Sequence, residues 1–206
     1  MTPRMRQVIT GAVIIVLLIV MALSTRVVST VSAAGQQTGA FSADSYGKTE
    51  FPKVQAAIEK KATDARTLAA AIAADRTAAA KKYGVPAGTG PEFSVKFTGV
   101  VGAGSLGVYP VTVAGMPASV LIRIQTGPAI NGTDLRDAPG TIQYGQFVNQ
   151  IDYQNAASAL NKQMKASVLA SVDTANLVGK TVTVIGAFQL INPNGWLVTP
   201  AKLSVQ

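Results

Sequence analysis

Residues 93–101 read Phe-Ser-Val-Lys-Phe-Thr-Gly-Val-Val, and this run decides the fold because apolar and polar residues alternate along it. A period of two is typical of a half-buried β-strand, whose successive side chains point to opposite faces. Glycine-rich turns and further apolar runs follow it. We predict four more strands, at residues 107–114, 119–125, 181–185 and 196–205, the last interrupted at Pro200. The second half of the chain is therefore predicted to be rich in β-structure.

One helix is predicted between the third and fourth of these strands. Over residues 153–172, the side chains of Ala156, Leu160 and Met164 fall on one face at helical spacing. Three strands, a helix and two strands is the element order of an OB-type Greek-key barrel. A mixed α+β sheet with the same elements is the alternative. We predict an α+β fold in which residues 85–206 form an OB-like five-stranded β-barrel with one helix between strands 3 and 4.

The N-terminus has the pattern of a membrane-targeting segment. Arg4 and Arg6 precede an uncharged apolar stretch over residues 8–23. Small residues at 33–34 offer a cleavage point, but the stretch is also long enough to remain as an uncleaved signal anchor. We predict that residues 1–34 are a signal anchor or a signal peptide. The basic flank keeps this end in the cytoplasm, so the C-terminal domain of a single-pass protein is predicted on the extracytoplasmic (periplasmic) side of the cell membrane.

A tether and a helical arm are predicted between the membrane segment and the barrel. Residues 35–51 begin with small and polar residues that suit a flexible tether. From Pro52 the apolar residues recur at threes and fours, which predicts an amphipathic arm over residues 52–84, with a possible break at 63–64. The arm is rich in alanine, which favours helix but buries little surface. We therefore expect it to dock on something larger than itself.

Composition and charge exclude several classes of function. The chain has neither cysteine nor histidine, so no disulfide, Cys/His zinc site, thiol nucleophile or Ser-His-Asp triad exists within it. We expect no enzymatic activity, no cofactor and no metal. The net charge of +8 makes nucleic acid a candidate partner. We predict no nucleic-acid binding, because no phosphate-binding loop is evident and the predicted compartment is extracytoplasmic.

Polar side chains are concentrated between residues 125 and 161, beside glycine and proline. Amides and a guanidinium make many directional hydrogen bonds, so the stretch is either a recognition site or a structural network. The Arg136 guanidinium can bind a ligand through two parallel hydrogen bonds, or it can form an internal ion pair with Asp137. Asn149 caps a helix or contacts a ligand, and Asp134 with Asp137 makes only a weak case for glycoside chemistry. The predicted ligand- or partner-binding residues are Gln125, Arg136, Asp137, Asn149, Gln150, Tyr153 and Asn161.

Several motifs in the right order resemble one known family. They are Gln125-x-Gly-Pro, Gly132-Thr-x-Leu-Arg-Asp137-Ala, Phe147-x-Asn-Gln-Ile-x-Tyr153, Ala159-Leu-Asn161, Gly186-Ala-Phe188 and Thr199-Pro-x-x-Leu203. The chain is similar to domain-of-unknown-function family 2291, predicted periplasmic lipoproteins often encoded beside sugar-type ATP-binding-cassette importers. The resemblance implies an extracytoplasmic protein and no established activity. The lipobox cysteine of that pattern is missing here, which strengthens the signal-anchor interpretation.

These observations favour a membrane-tethered binding or adaptor module, accessory to a sugar-type ABC transporter. Its expected partners are the membrane, through the N-terminal helix, and transporter components or a small carbohydrate. A structural envelope protein, in which the polar cluster is a buried scaffold, is the alternative.

Overall fold

The structure, a computed structural model, describes residues 41–206 together with Met5. Residues Phe41–Gln206 form one compact unit. The predicted membrane segment, residues 1–34, and the first part of the tether lie outside the described residues. Within the part that the structure describes, no helix is both long enough and apolar enough to span a bilayer.

The first helix, α1, spans Ala43–Lys61 and begins nine residues before the predicted start at Pro52. The prediction of a tether is therefore wrong for residues 43–51. Ser42 caps the helix by accepting a hydrogen bond from the backbone N–H of Ser45. Pro52 lies inside the helix, where its missing N–H removes one hydrogen bond. Burial of Phe51 and Val54 on either side of that position holds the turn in place.

Aromatic packing explains why the helix starts early. The rings of Phe41 and Tyr46 are 5.3 Å apart, and both lie within 6 Å of Phe147. Gly47 allows α1 to lie close to the helix that follows the third barrel strand, because a Cβ at this position would be 2.7 Å from the carbonyl oxygen of Ala159. The N-terminal end of α1 is thus held by contacts more than ninety residues away in sequence, which helical periodicity does not show.

Two shorter helices complete the arm. Helix α2 spans Ala65–Ala74 and α3 spans Arg76–Tyr83, with Asp64 and Asp75 as their N-caps. The predicted break at 63–64 is confirmed, and Asp64 caps the second helix. The arm packs on the barrel through buried residues that share one apolar stripe. They are Val54, Ile58, Ala65, Leu68, Ala69 and Ile72.

The predicted five-stranded barrel is confirmed. Its strands are β3 (Glu92–Val101), β4 (Val108–Thr112), β5 (Leu121–Gln125), β6 (Thr181–Gln189) and β7 (Gly195–Val205). Strand β3 pairs antiparallel with both β4 and β6, β4 with β5, and β6 with β7, while β5 and β7 are parallel. This ring of pairings closes the barrel in the OB order.

Two two-residue strands that the sequence did not predict extend the sheet from β3. Strand β1 (Thr63–Asp64) runs parallel to β3, and β2 (Gly84–Val85) runs antiparallel to its first residues. They attach the arm to the barrel by backbone hydrogen bonds. Strand β2 also places the chain after α3 beside Glu92 and Phe93.

The connection between β5 and β6 carries the predicted helix, α5, at Gln150–Met164, continued by a π-helical turn at Lys165–Leu169. Before it come a four-residue helix, α4 (Asp134–Asp137), and a 3₁₀ turn at Tyr144–Gln146. The helix begins three residues earlier than predicted, because Asn149 caps it.

Close approach of β6 and β7 depends on Gly186. A Cβ there would lie 2.5 Å from the carbonyl oxygen of Thr199 and 2.7 Å from Cγ1 of Val198. The register of the two strands shifts between Ile185 and Gly186, opposite Pro200. Such an irregularity bends the strand, as closure of a small barrel requires.

We predict that Gly186→Ala lowers the free energy of unfolding by about 1–3 kcal/mol, because a backbone atom cannot yield as a flexible side chain can. Gly145→Ala is the matched control, since a Cβ at Gly145 meets nothing within 4 Å. Urea unfolding of the purified protein measures both. Equal stability of the two variants would contradict the close approach.

Candidate functional site

A cavity of about 450 Å³ lies between the β2–β3 connection and the α4 region. One wall is formed by residues 85–89, and the other includes Thr133, Arg136 and Asp137. We call this cavity the α4 cleft. Its lining is completed by Gly140, Ile142, Gln143, Tyr153 and Gln189. Three of the seven predicted site residues therefore share one cavity.

Arg136 and Asp137 form a two-point ion pair beside the cleft. Nε of Arg136 donates to Oδ1 of Asp137 at 2.8 Å, and Nη2 donates to Oδ2 at 3.0 Å. The remaining nitrogen, Nη1, donates to the backbone oxygen of Tyr153 at 3.1 Å. The guanidinium also stacks on the Tyr153 ring, 3.6 Å from its centroid. Because each of its three nitrogens donates a hydrogen bond, Arg136 holds α4 against the start of α5.

The local sequence places this pair by burying its neighbour. Leu135 is fully buried in the core, while Arg136 is 7% exposed and Asp137 is half-buried at the cleft. The backbone N–H groups of Arg136 and Asp137 both donate to the carbonyl of Thr133, which starts the short helix. Tyr153 adds a long hydrogen bond from its hydroxyl to Oδ1 of Asp137, at 3.4 Å.

Glu92, a residue that the sequence prediction missed, lies behind the same wall. Its Cα partners across the sheet are Val85 on β2 and Gln189 on β6, and both of these line the cleft. Side chains directly opposite in an antiparallel pair point to the same face, so the Glu92 side chain lies on the same face of the sheet as these two residues, although it is not itself part of the cleft lining. It is 1% exposed. Neither carboxyl oxygen has a hydrogen-bond partner among residues 41–206.

Burial and neighbouring acids change the proton affinity of this carboxyl. Burial, together with the charges of Asp134 and Asp137, raises the pKa of Glu92 to about 9, and the charge of Arg136 partly opposes this shift. Burial also raises the pKa of Asp134 to about 6, while a hydrogen bond from Thr199 lowers it. At neutral pH Glu92 is therefore protonated in the folded protein.

Two further predicted residues are buried away from the cleft. Nε2 of Gln125 donates to the Thr199 hydroxyl at 3.0 Å, and that hydroxyl donates to Asp134. Nδ2 of Asn161 donates to the backbone oxygen of Gly132 at 3.1 Å. Both side chains hold the β5–α5 connection to its surroundings. The cleft does not include either of them.

Asn149 and Gln150 are exposed at the start of α5. Oδ1 of Asn149 accepts the backbone N–H of Asp152 at 2.8 Å, so Asn149 serves as the helix cap. Neither residue lines the α4 cleft. The predicted polar cluster thus separates into a cleft wall, a buried network and an exposed cap.

Among the described residues, no group of three or more carboxylate side chains is arranged to hold a metal ion. The three carboxyl groups near the cleft are instead spread over two elements: Glu92 on β3, and Asp134 and Asp137 at opposite ends of α4.

Comparison with known proteins agrees with this architecture. A family model described as a predicted periplasmic lipoprotein (DUF2291) matches residues 13–204. The crystal structure of an OB-fold protein from Thermotoga maritima MSB8 is similar to this chain with a TM-score of 0.66 and 20% identity, covering 82% of this chain and 100% of that one. At this identity the likeness supports the fold alone. No curated protein matches the chain.

We predict that Arg136→Ala lowers the free energy of unfolding by about 3–5 kcal/mol, because it leaves Asp137 partly buried without its counter-charge. Asn149→Ala, which removes an exposed cap, is expected to cost only about 1 kcal/mol. Urea unfolding compares the two. A loss below 1 kcal/mol in Arg136→Ala would show that the pair does not hold α4 in place.

We predict that Glu92→Gln changes how stability depends on pH. The folded pKa is about 9 and the ordinary value is 4.5, so the folded protein keeps a proton that the unfolded chain has released between these values. The free energy of unfolding of the wild type therefore falls by up to about 1.4 kcal/mol per pH unit as pH rises through this window. The variant lacks this slope, which urea unfolding at pH 5, 7 and 9 measures. Parallel pH profiles for the two proteins would contradict the burial of an unpaired carboxyl.

Proposed function

Because the chain belongs to domain-of-unknown-function family 2291, the predicted periplasmic lipoproteins, we propose that it is a membrane-tethered extracytoplasmic binding module. It contains no cysteine for a thioether-linked lipid, so the proposed tether is the apolar N-terminal segment itself. The proposed role is non-enzymatic and accessory to a sugar-type ABC transporter.

The observation that carries the binding role is the α4 cleft. Its volume of about 450 Å³ is within the range of small-molecule sites, roughly 300–1,000 Å³. The lining combines an aromatic ring, a hydroxyl and two amides with a charged pair: Tyr153, Thr133, Gln143, Gln189, Arg136 and Asp137. Groups of these types recognise the hydroxyls and ring faces of polyols and sugars.

A carboxylate-based hydrolase has less support. Both oxygens of Asp137 accept from Arg136, and Asp134 accepts from Thr199 without lining the cleft. A glycosidase needs one carboxyl as an acid and a second as a base or nucleophile on the two sides of the scissile bond. The arrangement of Asp134 and Asp137 suits a binding wall better than that chemistry.

A transporter partner would need a contact surface, and one lies next to the cleft. Val148 and Ile151 are 66% and 67% exposed, and the ring of Tyr144 is half exposed. Tyr144 packs against Tyr153 with ring centroids 5.7 Å apart, so this surface adjoins a cleft residue. This proximity supports an adaptor whose partner contact is coupled to ligand binding.

The alternative is an envelope scaffold, and the buried part of the polar cluster favours it. Gln125, Arg136 and Asn161 are each buried and bonded internally. A scaffold accounts for those three residues but not for the open cleft beside them. Ligand binding therefore distinguishes the two roles.

We predict that a member of a panel of sugars, amino sugars and polyols raises the melting temperature of the purified protein, and that Gly88→Trp abolishes this shift. Gly88 lines the cleft and a Cβ there meets nothing within 4 Å, so we expect an indole at this position to obstruct the cleft without displacing the backbone. Gly145→Trp is the matched control, because Gly145 is equally open and lies outside the cleft lining.

Thermal melting of the three proteins with each ligand gives the outcome. The expected result is a shift in wild type and Gly145→Trp only. No shift with any ligand, or an equal shift in Gly88→Trp, would contradict binding in the α4 cleft and favour the scaffold role.

A further inference from the structure

We propose that the α4 cleft selects a ligand carrying a protonated amine, such as an amino sugar, because three carboxyl groups converge behind its wall with one guanidinium. This inference rests on the proposed function, since it names the chemical class of ligand for the same cleft. The observation behind it is the local grouping of acidic side chains, which the overall net charge does not show. The chain as a whole is basic, with a net charge of +8, yet Asp134 and Asp137 lie close enough to Glu92 for their charges to raise its pKa.

Two cations near the cleft make hydrogen bonds within the protein, and of these two only Arg136 forms an ion pair among the described residues. Arg136 uses two nitrogens on Asp137 and the third on the Tyr153 carbonyl. Nζ of Lys61, at the end of α1, donates to the carbonyl of Pro139 at 2.7 Å. The charge of Asp137 is balanced by Arg136. No counter-charge in the described part of the chain pairs with Glu92 or Asp134.

Glu92 is the residue that points to a cation. It is 1% exposed, both its oxygens lack hydrogen-bond partners within residues 41–206, and its side chain points to the same face as the cleft residues Val85 and Gln189. Buried carboxyl groups are ordinarily hydrogen-bonded, because leaving them unpaired is unfavourable. A ligand cation in the cleft supplies the interaction that the protein lacks.

Binding of such a cation is linked to a proton. Without ligand, burial and the acids Asp134 and Asp137 keep the pKa of Glu92 high. A positive charge a few ångströms away favours the carboxylate, so Glu92 releases its proton to solvent as the amine binds. The released proton and the incoming positive charge balance, and the buried site gains no net charge.

A sugar without the amine receives none of this stabilisation. An anionic sugar receives no stabilisation from Glu92 either, and Arg136, the cation in the cleft lining, already donates two hydrogen bonds to Asp137. The cleft therefore discriminates by charge, with Glu92 as its specificity-determining residue.

The test is isothermal titration calorimetry of the purified full-length protein with sugars that differ only in the amine. D-glucosamine, D-galactosamine and D-mannosamine are compared with the corresponding hexoses and N-acetylated sugars, at a pH where the amines are charged. The expected result is that at least one amino sugar binds about tenfold or more tightly than its neutral counterparts. Repeating the titration in buffers of different ionisation enthalpy is expected to show release of a proton in wild type.

Glu92→Gln keeps the shape of the side chain and removes its charge. The variant is expected to lose both the preference for the amine and the proton release, while still binding neutral sugars as the wild type does. Glu59→Gln is the control, because Glu59 lies on α1 and faces Lys202 rather than the cleft. The wild-type buffer comparison needs no variant, so it decides the proton linkage even if Glu92→Gln is poorly folded.

Three outcomes contradict the proposal in distinguishable ways. Tighter binding of hexoses than of amino sugars would overturn the charge preference and leave the binding function standing. Amine binding with no proton release, unchanged in Glu92→Gln, would overturn the role of Glu92. Absence of binding by every sugar would overturn the proposed function together with this inference.

Discussion

Glu92 lies at the first position of β3 with almost no solvent contact, in electrostatic range of Asp134, Asp137 and Arg136. The ion pair of Arg136 and Asp137 limits how acidic this region becomes, and its bond to the Tyr153 backbone connects α4 to α5. The position of α4 against the start of α5 therefore depends on one guanidinium. Because the guanidinium is buried, removing only one partner of the ion pair would be strongly destabilising. The pair therefore holds the four-residue helix α4 in a fixed position.

The barrel provides the frame for this arrangement. Register across β2, β3 and β6 aligns Val85, Glu92 and Gln189 in one row, so their side chains lie on one face of the sheet. Barrel closure fixes that register, because a slip of one residue would turn Glu92 to the opposite face. The helical arm fixes β2 in turn, since α3 leads directly into it. Backbone pairing between strands, rather than a local sequence motif, therefore brings these residues together beside the cleft.

Periodicity was enough to predict the barrel strands and α5, since alternation and helical spacing are local properties. The start of α1 was missed because Pro52 is a strong local signal, whereas the contacts that extend the helix come from Phe147 and Ala159. Glu92 was missed because its importance comes from long-range pairing with Val85 and Gln189. Asn149 illustrates a third limit, because an asparagine at this position suits either a helix cap or a binding site. Only the hydrogen bond that it accepts from the backbone of Asp152 shows that it is the cap.

The central claim is that Glu92 is an unpaired, buried carboxyl group behind the cleft. The chain contains three glutamates, Glu50, Glu59 and Glu92, so carbon-13 labelling of glutamate gives three carboxyl resonances that NMR can follow through a pH titration. We expect one of these resonances, absent from Glu92→Gln, to titrate near pH 9. Titration of the Glu92 resonance near its ordinary value of 4.5 would show that the carboxyl is solvated or paired, and would contradict the account.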